Sequence, residues 1–260
     1  MSSIETIRDL DDQVFEEFKS YFDKIAQSNF SKNFPTTLHL SNFFTISTNF
    51  IKNSIFDCAQ NDDLFGTKIL FRSQIEHYLR FKFVWFNWIN NKSDVEAKRY
   101  LDFTNAKEIL DSIKAEVDAH KLANPNFKID SWNKFLNQIP SCKGLSKKEI
   151  EEEVQRYTYK SIIRFLKQID NKTHETTFFS SLVIEYSKLS SFVHGGRGCH
   201  NELVKFNDEF DRHQEYLRIC GLSFQMAGTV KLFSLLMLVQ TDKHHFEKSY
   251  LIIDQIIKRV

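Results

Sequence analysis

The sequence predicts an all-α fold, an irregular bundle of about seven or eight long helices. Three observations carry this reading. Apolar residues recur at i, i+3, i+4 and i+7 through most of the chain. Serine followed three residues later by glutamate precedes two of these runs, the pattern of a helix-opening capping box. No series of segments alternates with period two, and Pro35, Pro125 and Pro140 each fall in polar stretches between the runs.

The elements follow in order. Ile4, Ile7, Leu10, Val14, Phe18, Phe22 and Ile25 form one helical stripe. Thr36 to Gln60 is a second candidate, weakened by its Ser, Thr and Asn content. Asp62 or Asp63 is placed to cap a third helix running to about Asn90. Ser93 with Glu96 opens a fourth, to about Leu122. A loop with Pro125 and a short helix from Trp132 to Gln138 follow. Ser146 with Glu149 opens a helix to about Ile169, and another spans Glu175 to Val193. After a glycine break, Asn207 to Gln240 and His244 to Lys258 are the last two helices. The expected organisation is one helical domain, 1–260, with a subdivision near 123–145 as the alternative.

Composition excludes several function classes. The chain has 260 residues, 42% of them hydrophobic, which is ample for a core. Its net charge of +1, with no long block of one sign, argues against a global nucleic-acid footprint. Four cysteines lie far apart without a CxxC pair, as expected of free thiols in a reducing cytoplasm. Met1 to Ser20 is amphipathic and acidic, unlike a secretory leader. Leu217 to Val239 is the most apolar stretch, but Lys231 divides it, so a buried central helix is expected and not a membrane span.

Chemistry concentrates in two places. Three of the seven glycines fall in Lys188–His200, KLSSFVHGGRGCH. There Ser190, Ser191, Gly195, Gly196 and Arg197 are candidate binding residues, and GGRG is a candidate anion nest. His194 has two compatible readings, as a helix C-terminal cap or as a general acid or base. In the third helix Arg72, Glu76 and Arg80 share one face among many aromatic residues. They form either an intrahelical ion-pair row or the lining of a polar cavity. His194, Cys199, His200, His213 and Cys220 match no zinc spacing, so no cofactor is expected.

Arg72 and His77 fit the spacing Arg-x4-His, which resembles the ribonuclease motif of the HEPN superfamily. That resemblance implies metal-independent RNA cleavage, with arginine stabilising phosphate charge and histidine assisting proton transfer. Residues five apart on a regular helix nevertheless point about 140° apart. A second resemblance rests on Arg72-x3-Glu76 followed by Ser190 or Ser191, Val193, His194 and Gly195. It is similar to uncharacterised bacterial helical families associated with abortive infection. Together these imply a cytoplasmic defence or toxin-type protein, acting as a homodimer on RNA or with an operon-encoded partner. The alternatives are a non-enzymatic interaction module and a small-ligand sensor. Arg72, Glu76, His77 and His194 are the candidate catalytic residues, and Arg72–Glu76 is expected to pack near Ser190–His194.

Overall fold

A computed structural model describes residues 3–19, 21–25, 28–173 and 176–260. Met1, Ser20 and Glu175, which bounded two of the sequence segments, lie outside them. The described residues contain no strand, and the fold is all-α. The helices are α1 (Ile4–Lys19), α2 (Phe22–Ile25), α3 (Asn29–Asn33), α4 (Pro35–Gln60), α5 (Leu64–Asn91), α6 (Val95–Ala123) and α7 (Ser131–Gln138). They continue as α8 (Lys147–Arg156), α9 (Tyr159–Thr173), α10 (Thr176–Val193), α11 (Arg197–Lys205), α12 (Glu209–Val239) and α13 (Lys243–Ile257).

Helix α12 is the axis of the bundle. Cys220, Phe224, Val230 and Leu235 are fully buried on it, and α1, α4, α5 and α13 pack around it. It is long and apolar enough to cross a membrane, and 67% of its most apolar window is buried inside the bundle. Gly228 lets α13 approach closely: a Cβ there would lie 2.7 Å from Ile257 Cδ1. Beside the main core, Ile113, Phe135, Cys142, Ile150 and Val154 form a separate cluster under α6, α7 and α8.

Helices α4 and α5 form a hairpin. Asp62 takes the left-handed turn position, with φ at 56°, and Asp63 caps α5 by accepting from the Gly66 amide at 2.8 Å. Arg212 and Tyr216 of α12 both donate to Asp62, at 2.7 and 3.1 Å.

Among the described residues there are more helices than expected, eleven of them with seven or more residues. The helix expected from Ser146 to Ile169 is two, α8 and α9. The predicted Ser146–Glu149 capping box opens α8. The chain then turns at Tyr157, whose ring packs against Phe83 and Tyr100, and at Thr158, whose hydroxyl donates to the Gln155 carbonyl. The Ser93–Glu96 box does not form. Glu96 accepts instead from the Tyr157 hydroxyl at 2.8 Å. Neighbouring Asp94 is turned away from α6 to cap α4, accepting from the Thr36 and Thr37 amides at 2.8 and 2.7 Å. The glycine break is also shorter than expected, because Arg197 already begins α11.

Candidate polar cleft between α5 and α10

The helical spacing of α5 places Lys68, Arg72, Glu76 and Arg80 on successive turns of one face. The face meets α10. Lys68 is buried and pairs with Glu215 of α12 at 2.9 Å and Glu202 of α11 at 3.5 Å, with its ammonium over the Phe206 ring. One turn on, Arg72 donates to the Tyr186 hydroxyl at 2.6 Å and lies over the Tyr186 ring. Tyr186 donates in turn to Glu76 at 3.2 Å. Arg80 holds the other Glu76 oxygen at 2.8 Å and reaches the Tyr100 hydroxyl at 3.4 Å.

Electrostatics follow from this crowding. Burial raises the Glu76 carboxyl, but the hydrogen bonds and charge of Arg80, with Tyr186 and Arg72, outweigh it and hold Glu76 below its ordinary value. Glu76 is therefore a fixed anion between two cations. Tyr159 of α9 stacks on Tyr186 with centroids 3.8 Å apart. Its hydroxyl is buried with no hydrogen-bond partner among the described residues, and so is Nε of Arg72. Burial, with the electron-rich Tyr186 and Glu76 alongside, raises Tyr159 well above an ordinary phenol and keeps it protonated.

Arg80, Thr104, Lys107, Glu108, Thr158 and Tyr159 are among the residues around a cavity of about 260 Å³ at one end of this network. A more open cleft of about 930 Å³ lies between α6, α7 and α8. Its α6 wall alternates Lys107, Asp111, Lys114, Asp118 and Lys121, so its rim is close to self-neutralised. It contains none of the residues singled out in the sequence.

The other expected site residues lie elsewhere. His77 turns the opposite way from Arg72: its Nδ1 lies 3.0 Å from the Ser73 carbonyl and its ring sits against Phe43 and Phe44 of α4. It does not share an opening with Arg72. His194 is exposed at the end of α10, eight residues beyond Tyr186, so the network meets α10 about 12 Å short of it. Arg72–Glu76 does pack on α10, but through Tyr186 and not through the Ser190–His194 turn.

The glycines have a local reason. Gly195 takes φ +62°, and the Gly196 amide donates to the Ser191 carbonyl at 2.9 Å, the long bond of a Schellman helix end. His194 is the last residue before that turn. Gly198 packs on Ser191, where an added Cβ would sit 3.2 Å from its Cβ and hydroxyl. Ser191 bonds its own helix, donating to Lys188 O, and Arg197 is exposed. The turn swings α11 back so that Cys199 and Glu202 dock on the bundle.

Tyr186 was legible in principle. Tyr186, Ser190 and His194 stand at i, i+4 and i+8, so the stripe that drew attention to the serine and histidine runs straight back to it. Burial raises the thiols of Cys58, Cys142 and Cys199, and pushes that of Cys220 up to about 12, so none is poised as a thiolate. Among the described residues no three His, Cys, Asp or Glu side chains are grouped to hold a metal ion.

A family of unknown function, DUF5677, matches residues 38–213, about two-thirds of the chain. The chain belongs to this family. The match runs from α4 into the start of α12, so the DUF5677 region contains the Arg72–Glu76–Arg80 row, Tyr159, Tyr186 and the glycine turn. Helix α1, most of α12 and all of α13 are outside it. No curated protein and no solved structure matches the chain.

Proposed function

We propose that this DUF5677 protein is a non-enzymatic helical sensor that binds a small polar ligand beside Arg80 and Tyr159. The observation that carries this is a cavity of about 260 Å³ bordered by Arg80 and by Tyr159, whose own buried hydroxyl has no hydrogen-bond partner among the described residues. Buried hydroxyls are normally hydrogen-bonded, so an unpaired one on a residue that borders a cavity is a polar group that a small side-chain movement would offer to a ligand. The volume, about 260 Å³, suits a metabolite and not a larger molecule.

RNA cleavage by Arg72 makes a different demand: an imidazole on the α10 side of α5. His77 faces α4 and His194 lies two turns too far along α10, so binding is favoured over cleavage. The resemblance carried by Arg72, Glu76 and His194 supports a setting in bacterial defence or a toxin-type system.

The test is thermal-shift screening of nucleotides, amino acids and small carboxylates against wild type and Tyr159→Phe. Removing a hydroxyl with no protein partner leaves the folded state close to neutral in stability. The expected result is an unchanged melting temperature without ligand and a lost ligand-induced shift. A hit that shifts wild type and Tyr159→Phe equally overturns the assignment of the site.

A further inference from the structure

The cavity beside Tyr159 is bordered by charges of both signs. On α5, Arg72 and Arg80 share a single carboxylate, Glu76. Arg80 uses three of its five N–H groups, two on Glu76 and one on Tyr100. Two remain, on a guanidinium that borders the cavity. On α6, Glu108 borders the same cavity, is exposed, and makes no hydrogen bond or ion pair among the described residues. Lys107 beside it is already paired with Asp111. The Glu108 charge is felt at the Arg80 end: burial raises the Tyr100 phenol, Arg80 opposes this, and Glu76 and Glu108 add to it.

The hydroxyl protons between these charges are committed elsewhere. Thr104 donates to the Tyr100 carbonyl at 2.7 Å, Thr158 to the Gln155 carbonyl at 3.0 Å, and Tyr157 to Glu96 at 2.8 Å. Phe103 and Val154 add apolar wall. The cavity therefore suits an anion, a cation and an apolar remainder within about 260 Å³. That lies below the usual span of small-molecule pockets, about 300–1,000 Å³. A nucleotide brings several negative charges and is repelled by Glu108. A simple carboxylate leaves Glu108 without a partner, and a neutral sugar answers neither charge.

We propose that the ligand is a free amino acid with an apolar side chain, its carboxylate on Arg80, its ammonium on Glu108 and its side chain against Phe103 and Val154, an assignment that rests on the Tyr159 cavity being the ligand site.

Isothermal titration calorimetry tests it with L-phenylalanine and L-leucine, and with 3-phenylpropionate and phenethylamine, which lack the ammonium and the carboxylate of phenylalanine in turn. Wild type is expected to bind both amino acids, and each truncated analogue at least about fivefold more weakly, the upper range of one partly exposed ion pair. Glu108→Gln is expected to weaken L-phenylalanine by the same factor and to leave 3-phenylpropionate no weaker. Its melting temperature should match wild type, because Glu108 is exposed. If 3-phenylpropionate binds wild type as tightly as L-phenylalanine, the amino-acid assignment is overturned while the cavity stands as a ligand site. Glu108→Gln that binds L-phenylalanine as wild type does overturns it equally. Binding of neither amino acid also overturns it, and the Tyr159→Phe screen then decides by itself whether the cavity takes another ligand.

Discussion

Removing Asp11 should cost more than any exposed ion pair in this protein. Asp11 of α1 reaches into the bundle to Lys52 of α4, and its other oxygen lies 3.8 Å from Lys231 of α12. Both lysines are buried, and both donate to Asn49 Oδ1, at 3.0 and 2.9 Å. Two ammonium groups thus share one carboxylate and one amide oxygen. Burial, with the neighbouring Lys52 charge, lowers Lys231 to about 7, so near neutral pH the cluster sheds part of its excess positive charge by partial loss of the Lys231 proton. Burial also lowers Lys52, against the pull of Asp11. In Asp11→Ala the remaining ammonium has no counter-charge. Breaking one side of a buried pair costs about 3–5 kcal/mol. For a chain of this size that is a fall of roughly 6–10 °C in melting temperature. Asp11→Asn, which keeps the shape and loses the charge, should fall nearly as far. Thermal unfolding followed by far-UV circular dichroism at pH 7 measures both. A loss below about 1 kcal/mol in each, the range of an exposed pair, refutes the reasoning.

Two further outcomes follow from other groups. Between pH 7 and the ordinary lysine value of about 10.4 the unfolded chain binds the Lys231 proton and the folded chain does not, so this group makes stability rise with pH. Lys231→Met should accordingly stabilise the protein at pH 7, by a margin that shrinks toward pH 9; a constant margin in urea titrations would show that Lys231 is not the group responsible. Arg72→Ala should lower stability by about 1.5–3 kcal/mol through its lost bonds to charged and phenolic partners, whereas exposed His194→Ala should stay within about 0.5 kcal/mol. Equal losses at the two positions would mean that His194 belongs to the network after all.

Local periodicity made the helices legible, and long-range partners decided where it misled. Thr36 to Gln60 looked weak because its Ser, Thr and Asn residues were weighed as helix competitors. In the fold Thr37, Ser41, Thr45 and Thr48 are buried beside Leu40 and Phe44, and Ser41 and Thr48 are paired to α12 and to the helix backbone, so the helix is held by tertiary contacts that propensity does not contain. Asp94 makes the same point from the other side. Its neighbours spelled a capping box for α6, yet its carboxylate caps α4, nearly sixty residues earlier. No local pattern distinguishes a cap for the following helix from a cap for a distant one. Helix α11 was concealed because GGRG reads as a break, and only the close seat of Gly198 on Ser191 explains a glycine inside a helix there.

The candidate site was legible to the same depth and no further. Spacing i, i+4 put Arg72, Glu76 and Arg80 on one face, and an apolar helix cannot bury such a row without partners. Spacing also identified the α10 stripe that supplies the partner. It does not fix how far along the stripe two helices cross, because every turn of a regular stripe is equivalent under the 3.6-residue period. The chain settles that register with groups absent from the motif. Lys68 binds Glu215, and Arg218 binds Glu215 and Glu185 at 2.7 Å each, which ties α5, α10 and α12 together one turn away from Tyr186. With Glu185 fixed there, the next residue, Tyr186, is the one that meets Arg72, and His194 is carried to the surface as the residue before the Schellman turn. The histidine that attracts a catalytic reading from sequence is thus placed by the helix end it helps to close. The tyrosines that no motif named, Tyr159 and Tyr186, stack at the end of the row that borders the cavity, and one of them keeps a buried hydroxyl without a partner among the described residues.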